Sequence, residues 1–170
     1  NFLFVGYLLK ILPGSKIIRT FRDPWDVAIS LYKQRYVTNI PYSASFFNIG
    51  VFMSNFEAIN IFWNDQIGSS DSILDIRYED LVKNTDQHQK RLYQFLNIKS
   101  DFDEEKRKTF FSQTASIRQI GGNVHSKSIK KNEFLDHKNE FYDALKMQRK
   151  YWEKRGFEYK SDDFFGYKLG

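Results

Sequence analysis

Apolar residues along the chain follow two spacings, one typical of amphipathic helices and the other of short buried strands. The helical spacing predicts helices at residues 2–11, 23–35, 45–66, 79–83, 88–96 and 140–155. Two runs with β-branched residues predict strands at residues 16–21 and 72–78. The order strand, helix, helix, strand indicates an α/β fold, in which a parallel β-sheet joined by a right-handed crossover is flanked by helices.

The segments between these elements carry turn and charge signals. Pro13 and Gly14 are expected to end the first helix. Loops or turns are predicted at residues 36–43, 68–71 and 114–131, and an aromatic tail at residues 162–170. Residues 99–108 are dense in charge and are interpreted as the solvated start of a helix. Within the first strand, Ile17 and Ile18 are predicted to lie in the core, as in a buried parallel strand.

The junction between the first strand and the next helix holds the clearest candidate chemistry. Asp23 is expected to cap the helix, with Pro24 at its first position and Asp26 near the positive end of its dipole. Arg22 lies at the carboxyl end of the strand, where open α/β sheets bind ligands, and its planar fork suits a phosphate. Ser30 adds a hydroxyl donor. The simpler interpretation is a capped surface helix whose arginine forms an ion pair.

Composition narrows the function classes. The 170 residues suffice for one domain, and the net charge of +5 favours an anionic partner such as a nucleotide, a sulfate ester or a nucleic acid. The absence of cysteine excludes disulfides, thiolate metal sites and cysteine nucleophiles. No apolar run is long enough to span a bilayer, and residues 1–12 lack the charged start and cleavage site of a signal peptide.

Two further groups of ionisable residues are weaker candidates. His88, His125 and His137 do not have the spacing of a metal site, so no metal is expected. Glu79 and Asp80 are adjacent and therefore point in different directions on a helix, which does not suit paired acid–base catalysis. We expect these two carboxylates to cap the helix that begins there.

Four segments, taken in order, carry a resemblance to a known family. Residues 22–32 read Arg-Asp-Pro-Trp-Asp-Val-Ala-Ile-Ser-Leu-Tyr, and residues 78–81 read Tyr-Glu-Asp-Leu. Residues 114–116 read Thr-Ala-Ser and begin a loop with later serines, and residues 151–157 close the last helix. Together they resemble sulfotransferases that use 3′-phosphoadenosine 5′-phosphosulfate (PAPS). The resemblance is to the bacterial tetratricopeptide-linked enzymes and, more loosely, to protein-tyrosine sulfotransferases.

The resemblance implies a fold and a set of donor contacts. The fold would be P-loop-NTPase-like and N-terminally truncated, with residues 1–170 as the C-terminal part of a single sulfotransferase domain. Arg22 and Ser30 would hold the 3′-phosphate of PAPS, or of the product adenosine 3′,5′-bisphosphate. Tyr78 would lie near the adenine, Ser116 would complete the nucleotide site, and Lys131 could reach a phosphate.

The same resemblance leaves the reacting sulfate without a visible binding loop. Residues 1–170 contain no glycine-rich 5′-phosphosulfate segment and no residue that matches the family's catalytic base, so no catalytic residue is assigned. We expect this chain alone to be inactive, or nearly so, although its parent is expected to be an enzyme.

Partners and alternatives stay open at this point. A protein tyrosine, a carbohydrate and a small alcohol are all candidate acceptors, and neither a membrane nor a nucleic acid is expected as a partner. Cytoplasmic localisation follows from the bacterial resemblance, and a secretory compartment from the tyrosine-sulfating one. The alternative is a non-catalytic nucleotide- or nucleic-acid-binding module of the same fold, supported by departures from the family at Gly121, Asn123 and Asn132.

Overall fold

Two parallel strands, β1 (Ile17–Phe21) and β2 (Ile73–Arg77), form the only sheet among the described residues. The computed structural model describes residues 2–34, 40–68, 71–98 and 134–169. The parallel pairing confirms the parallel sheet that the order of the elements predicted, and the mixture of helices with this sheet is an α/β architecture.

Most of the helices lie where the apolar spacing predicts. They are α1 (Val5–Ile11), α2 (Pro24–Gln34), α3 (Phe46–Ile67), α4 (Tyr78–Lys83), α5 (Thr85–Leu96) and α6 (Lys138–Glu153). Short 3₁₀ helices occupy Phe2–Phe4, Pro41–Ala44 and Leu135–His137.

Four predictions, one about a helix and three about the segments between elements, differ from the structure or fall outside it. Part of the loop predicted at residues 36–43 is the 3₁₀ helix Pro41–Ala44, in which Pro41 occupies an early position. Helix α5 begins at Thr85, three residues before the predicted start. The charged segment 99–108 and the loop 114–131 lie outside the described residues.

The two strands of the sheet are buried to different extents. Register pairs Ile17 with Ile73 and Arg19 with Asp75, so these side chains share one face. The Arg19 guanidinium and the Asp75 carboxylate form an ion pair there, with Nε and Oδ1 2.7 Å apart. Ile18 points to the other face and is 40 % exposed. The expectation of a fully buried β1 was therefore wrong. Leu74 and Ile76 of β2 lie on the same face as Ile18 and are buried, so that face is covered over β2 and left open over β1.

The main core lies between α2, α3 and α6. Gly50 of α3 permits a close approach, since a Cβ there would stand 2.5 Å from the Phe141 carbonyl oxygen of α6. The buried apolar cluster consists of Trp25, Ala28, Ile29, Phe46, Ile49, Met53, Phe141, Tyr142, Leu145 and Phe164. The core also contains an ion pair, because Arg149 of α6 donates hydrogen bonds to both carboxylate oxygens of Glu57 on α3.

The carboxyl-terminal tail (residues 157–169) returns from α6 to the sheet. Phe164 is 1 % exposed and joins the core, while the ring of Phe165 stacks on Phe21 at a centroid distance of 4.1 Å. Backbone hydrogen bonds of 2.8 and 2.9 Å join Phe164 to Tyr167 and close a tight turn. Gly166 has a φ of +82° in this turn, a conformation that glycine adopts without the cost of a Cβ. The tail is thereby fixed beside the carboxyl end of β1.

Candidate functional site

The candidate site lies at the carboxyl ends of the two strands, where α2 and α4 begin. At the first junction, Oδ1 of Asp23 accepts hydrogen bonds from the backbone N–H groups of Trp25 and Asp26, at 2.9 and 3.1 Å. Pro24 occupies the first position of α2 and is buried. These contacts confirm the predicted cap, and they leave Arg22 immediately before the helix and after the strand.

Arg22 links the two junctions through its guanidinium group. Its Nη2 lies 3.3 Å from Oδ2 of Asp26 on α2, and its Cζ lies 4.9 Å from the ring centroid of Tyr78 at the start of α4. The Arg22 side chain keeps 25 % of its surface exposed, whereas that of Asp26 keeps 2 %. The arginine therefore has one side against a buried carboxylate and an aromatic ring and another side open to solvent.

The charges around Arg22 set the electrostatics of the site. Burial raises the pKa of Asp26, the positive charge of Arg22 partly offsets this, and the carboxylates of Asp23 and Glu79 raise it further. Arg22 is thus the cation that offsets part of the cost of ionising this buried carboxyl group. An anion that approaches the exposed side of Arg22 would share this cation with Asp26.

Glu79 has partners beyond the helix that the sequence predicts it to cap. It lies in the first turn of α4, as expected, but its Oε1 accepts a hydrogen bond of 3.0 Å from the backbone N–H of Asp23. Its Oε2 accepts a hydrogen bond from the hydroxyl of Tyr167 in the tail. Burial raises the pKa of Glu79, but the hydrogen bonds from Tyr167 and from the Asp23 N–H outweigh it, and the net pKa is lowered.

The structure brings together only some of the residues of the predicted donor site. Arg22 and Tyr78 are in contact, as described above. Ser30 lies two turns into α2 with an exposed side chain, one turn beyond Asp26 and on the same helix face. Ser116 and Lys131 lie outside the described residues, so their assignments stay predictions.

The sequence analysis allowed for an ion pair of the arginine but did not assign Asp26 as its partner, and it missed Tyr167. Asp26 and Arg22 are four residues apart, and that spacing is a recognisable signal for an ion pair, although Arg22 precedes the helix. Tyr167 has no comparable signal, since 88 residues separate it from Glu79 and its neighbours are simply aromatic.

A pocket of about 370 Å³ opens beside the site. Its walls are Phe21, Asp75, Arg77, Asp80, His88, Arg91 and Phe165, so both signs of charge line it. Among the residues that the structure describes, no group of three or more histidine, aspartate or glutamate side chains is placed to hold a metal. In the same part of the chain, no helix has the length and apolar character needed to cross a membrane.

Comparison with known proteins identifies the family of the chain. Residues 1–104, which contain both strand-end junctions, match the sulfotransferase family. A protein of Aquifex aeolicus (strain VF5) described as uncharacterized is 25 % identical over 139 residues, covering 77 % of this chain and 18 % of that protein. The chain thus spans less than a fifth of that relative's length. No solved structure matches. With most of its length matched, the chain belongs to the sulfotransferase family, whose members in general transfer sulfuryl groups.

Proposed function

We propose that the protein binds PAPS at the ends of β1 and β2 and takes part in sulfuryl transfer to a hydroxyl or amine. The observation that carries this proposal is the position of Arg22. It follows a parallel strand, precedes the capped amino terminus of α2, and lies 4.9 Å from the ring of Tyr78. A strand end, a helix amino terminus and an arginine together suit a phosphate group.

The chemistry of these residues assigns them to the nucleotide half of the donor. The Arg22 guanidinium would donate hydrogen bonds to the 3′-phosphate, and Ser30 would add a hydroxyl donor from two turns into α2. Tyr78 would offer the adenine a ring face and a polar tip. Ser116 and Lys131 are proposed to complete the nucleotide site from the loop that follows residue 113.

Asp26 is expected to make the site selective for strongly charged phosphate groups. Its buried carboxylate already holds one side of Arg22, so a bound phosphate must compete for the same positive charge. A dianionic phosphate that forms two parallel hydrogen bonds can compete, whereas a weakly charged ligand cannot. We therefore expect the site to bind the bisphosphate nucleotide far better than a nucleotide without a 3′-phosphate.

The proposed role in catalysis is positioning of the donor. Sulfuryl transfer, like phosphoryl transfer, depends mainly on orientation and on stabilisation of developing charge. No catalytic base is assigned to the described residues. We propose a P-loop-NTPase-like sulfotransferase domain of which residues 1–170 form the C-terminal part, with a protein tyrosine, a carbohydrate or a small alcohol as acceptor.

Calorimetric titration of the full-length protein with adenosine 3′,5′-bisphosphate tests the proposal. Arg22→Ala should weaken binding by about 1.5–3 kcal/mol, the range for hydrogen bonds to charged groups, or roughly 10- to 150-fold. Ser30→Ala should weaken it by the smaller amount of a neutral hydrogen bond, about 0.5–1.5 kcal/mol. Arg155→Ala, which removes an exposed arginine at the end of α6, is the matched control and should bind normally.

Two comparisons decide whether the 3′-phosphate is the group recognised. Adenosine 5′-monophosphate lacks that phosphate, so its affinity should change little in Arg22→Ala. Equal affinity of wild-type and Arg22→Ala protein for the bisphosphate would refute the assignment.

The alternative is a non-catalytic module that binds nucleotides or nucleic acid, which the net charge of +5 favours. A steep loss of affinity for an oligonucleotide with rising salt would support that alternative, because such binding releases counterions. Selective, weakly salt-dependent binding of the bisphosphate would support the sulfotransferase proposal.

A further inference from the structure

Hydrogen bonds of the carboxyl-terminal tail, linked by short stretches of backbone, lead from the core to the proposed phosphate site. The series begins at Arg149, whose guanidinium donates to the backbone carbonyls of Asp162 and Asp163 at 3.0 and 2.9 Å. The same guanidinium is paired with buried Glu57, so its position is fixed by the core. An ion pair between Lys160 and Asp65 adds a second attachment of the tail to α3.

Beyond these attachments, the tail presents one hydroxyl to the site. Tyr167 is 7 % exposed, and its ring lies 4.3 Å from the guanidinium carbon of Arg77. Its hydroxyl donates to Oε2 of Glu79, with the Phe21 carbonyl oxygen farther away at 3.4 Å. The ring packing and the tight turn at Gly166 leave this hydroxyl little freedom to move.

Glu79 connects the Tyr167 hydroxyl to the segment that is proposed to bind the phosphate. Its other oxygen, Oε1, accepts the backbone N–H of Asp23, the residue directly after Arg22. With Oε2 held by Tyr167, the carboxylate plane of Glu79 is fixed and faces the Asp23 amide. Because Asp23 also caps α2, its backbone defines the direction in which Arg22 leaves the strand.

We propose that Tyr167 is a positioning residue for the donor nucleotide, acting through Glu79 on the backbone at Asp23 and hence on Arg22. This inference rests on the proposed function of Arg22. Tyr167 lies beyond residues 1–104, the part of the chain that matches the family, so the proposal adds a contribution from outside that match. Tyr167 makes no contact with the phosphate in this scheme.

The test is Tyr167→Phe, which removes the hydroxyl and keeps the ring that packs against Arg77. Calorimetric titration of the full-length variant with adenosine 3′,5′-bisphosphate should show about three- to tenfold weaker binding, the effect of one hydrogen bond. Affinity for adenosine 5′-monophosphate should change much less, because only the 3′-phosphate contacts Arg22. A merely structural role would weaken both nucleotides alike or neither.

Tyr159→Phe is the matched control, since it removes another tail hydroxyl that does not contact Glu79. It should bind both nucleotides as the wild type does. Glu79→Gln is a second variant with the same shape; it keeps an oxygen acceptor but loses the charge that orders both hydrogen bonds, and it should also lose discrimination between the two nucleotides.

A double-mutant cycle isolates the path through Glu79. Once Glu79→Ala is present, adding Tyr167→Phe should reduce bisphosphate affinity little further, because the two groups act in series. Fully additive losses would overturn the inference. So would normal discrimination in Tyr167→Phe while Arg22→Ala remains defective. If Arg22→Ala itself binds normally, the proposed function fails, and this inference fails with it.

Discussion

The two strand ends of this sheet are built in opposite ways. After β1, helix α2 begins with its own cap, because Asp23 satisfies the backbone N–H groups of Trp25 and Asp26. After β2, the N-cap residue Arg77 makes no side-chain hydrogen bond to α4 among the described residues, and one of the two acidic residues of the first turn, Glu79, also serves other elements. Glu79 instead holds the backbone at Asp23 and the hydroxyl of Tyr167.

This difference shows that one junction of the site rests on local contacts and the other on long-range contacts. The first junction is encoded locally, within the few residues that form it. The second is defined by the long-range contacts of Glu79 to the backbone at Asp23 and to the tail. The site at Arg22 therefore depends on a stable local element and on a support from distant parts of the chain.

The largest expected effect comes from removing the anchor of the tail. Arg149→Met leaves the carboxylate of Glu57 buried without its cation and releases the carbonyls of Asp162 and Asp163. Breaking a buried ion pair from one side costs about 3–5 kcal/mol, and urea unfolding should show a loss of this size. The loss of tail attachment should also weaken binding of the bisphosphate.

A double variant separates the charge effect from the loss of the anchor. Glu57→Gln combined with Arg149→Met removes the uncompensated charge and should recover part of the stability. It should not recover nucleotide affinity, since the tail carbonyls still lack their donor. Full recovery of affinity would show that the second junction does not need the tail.

An intermediate effect is expected at Asp23, whose side chain and backbone serve different junctions. Asp23→Ala removes the helix cap and should lower the free energy of unfolding by about 0.5–2 kcal/mol in chemical denaturation. Its backbone N–H, and with it the contact to Glu79, is retained. Asp23→Asn is the control, because asparagine caps almost as well. Equal losses in both variants would mean that the charge of Asp23, and not its cap, stabilises the junction.

Sequence reasoning succeeded where the interactions are local. The cap at Asp23, the start of α2 and the two strands were all predictable because their signals lie within a few residues. Glu79 was assigned to its own helix, since nothing in the sequence indicates a partner 56 residues away at Asp23. Ile18 was placed in the core because a β-branched residue is typical of strands, but the spacing alone does not say which face is covered.

The smallest expected effect is on the pH dependence of the free energy of unfolding. The two carboxylates near Arg22, Glu79 and Asp26, should contribute to it with opposite signs. The pKa of Glu79 is lowered in the folded protein from the ordinary value of 4.5, so the unfolded chain binds more protons around that pH. Its contribution to stability is present above the unfolded pKa and is lost as the pH falls through the folded pKa. Glu79→Gln should therefore differ most from wild type at neutral pH and least in acid.

Asp26 should behave in the opposite direction. Burial raises its pKa above the ordinary value of 3.8 despite Arg22, so the folded protein binds more protons in that range. Its ionisation opposes folding, and this cost disappears as the pH falls through the folded pKa toward the unfolded one. Unfolding free energies of wild type, Glu79→Gln and Asp26→Asn between about pH 3 and 7, which spans the ordinary range of carboxyl groups, measure both signs. The same pH trend in both variants would contradict the assignment, because it would mean that the two strand ends place their carboxylates in equivalent environments.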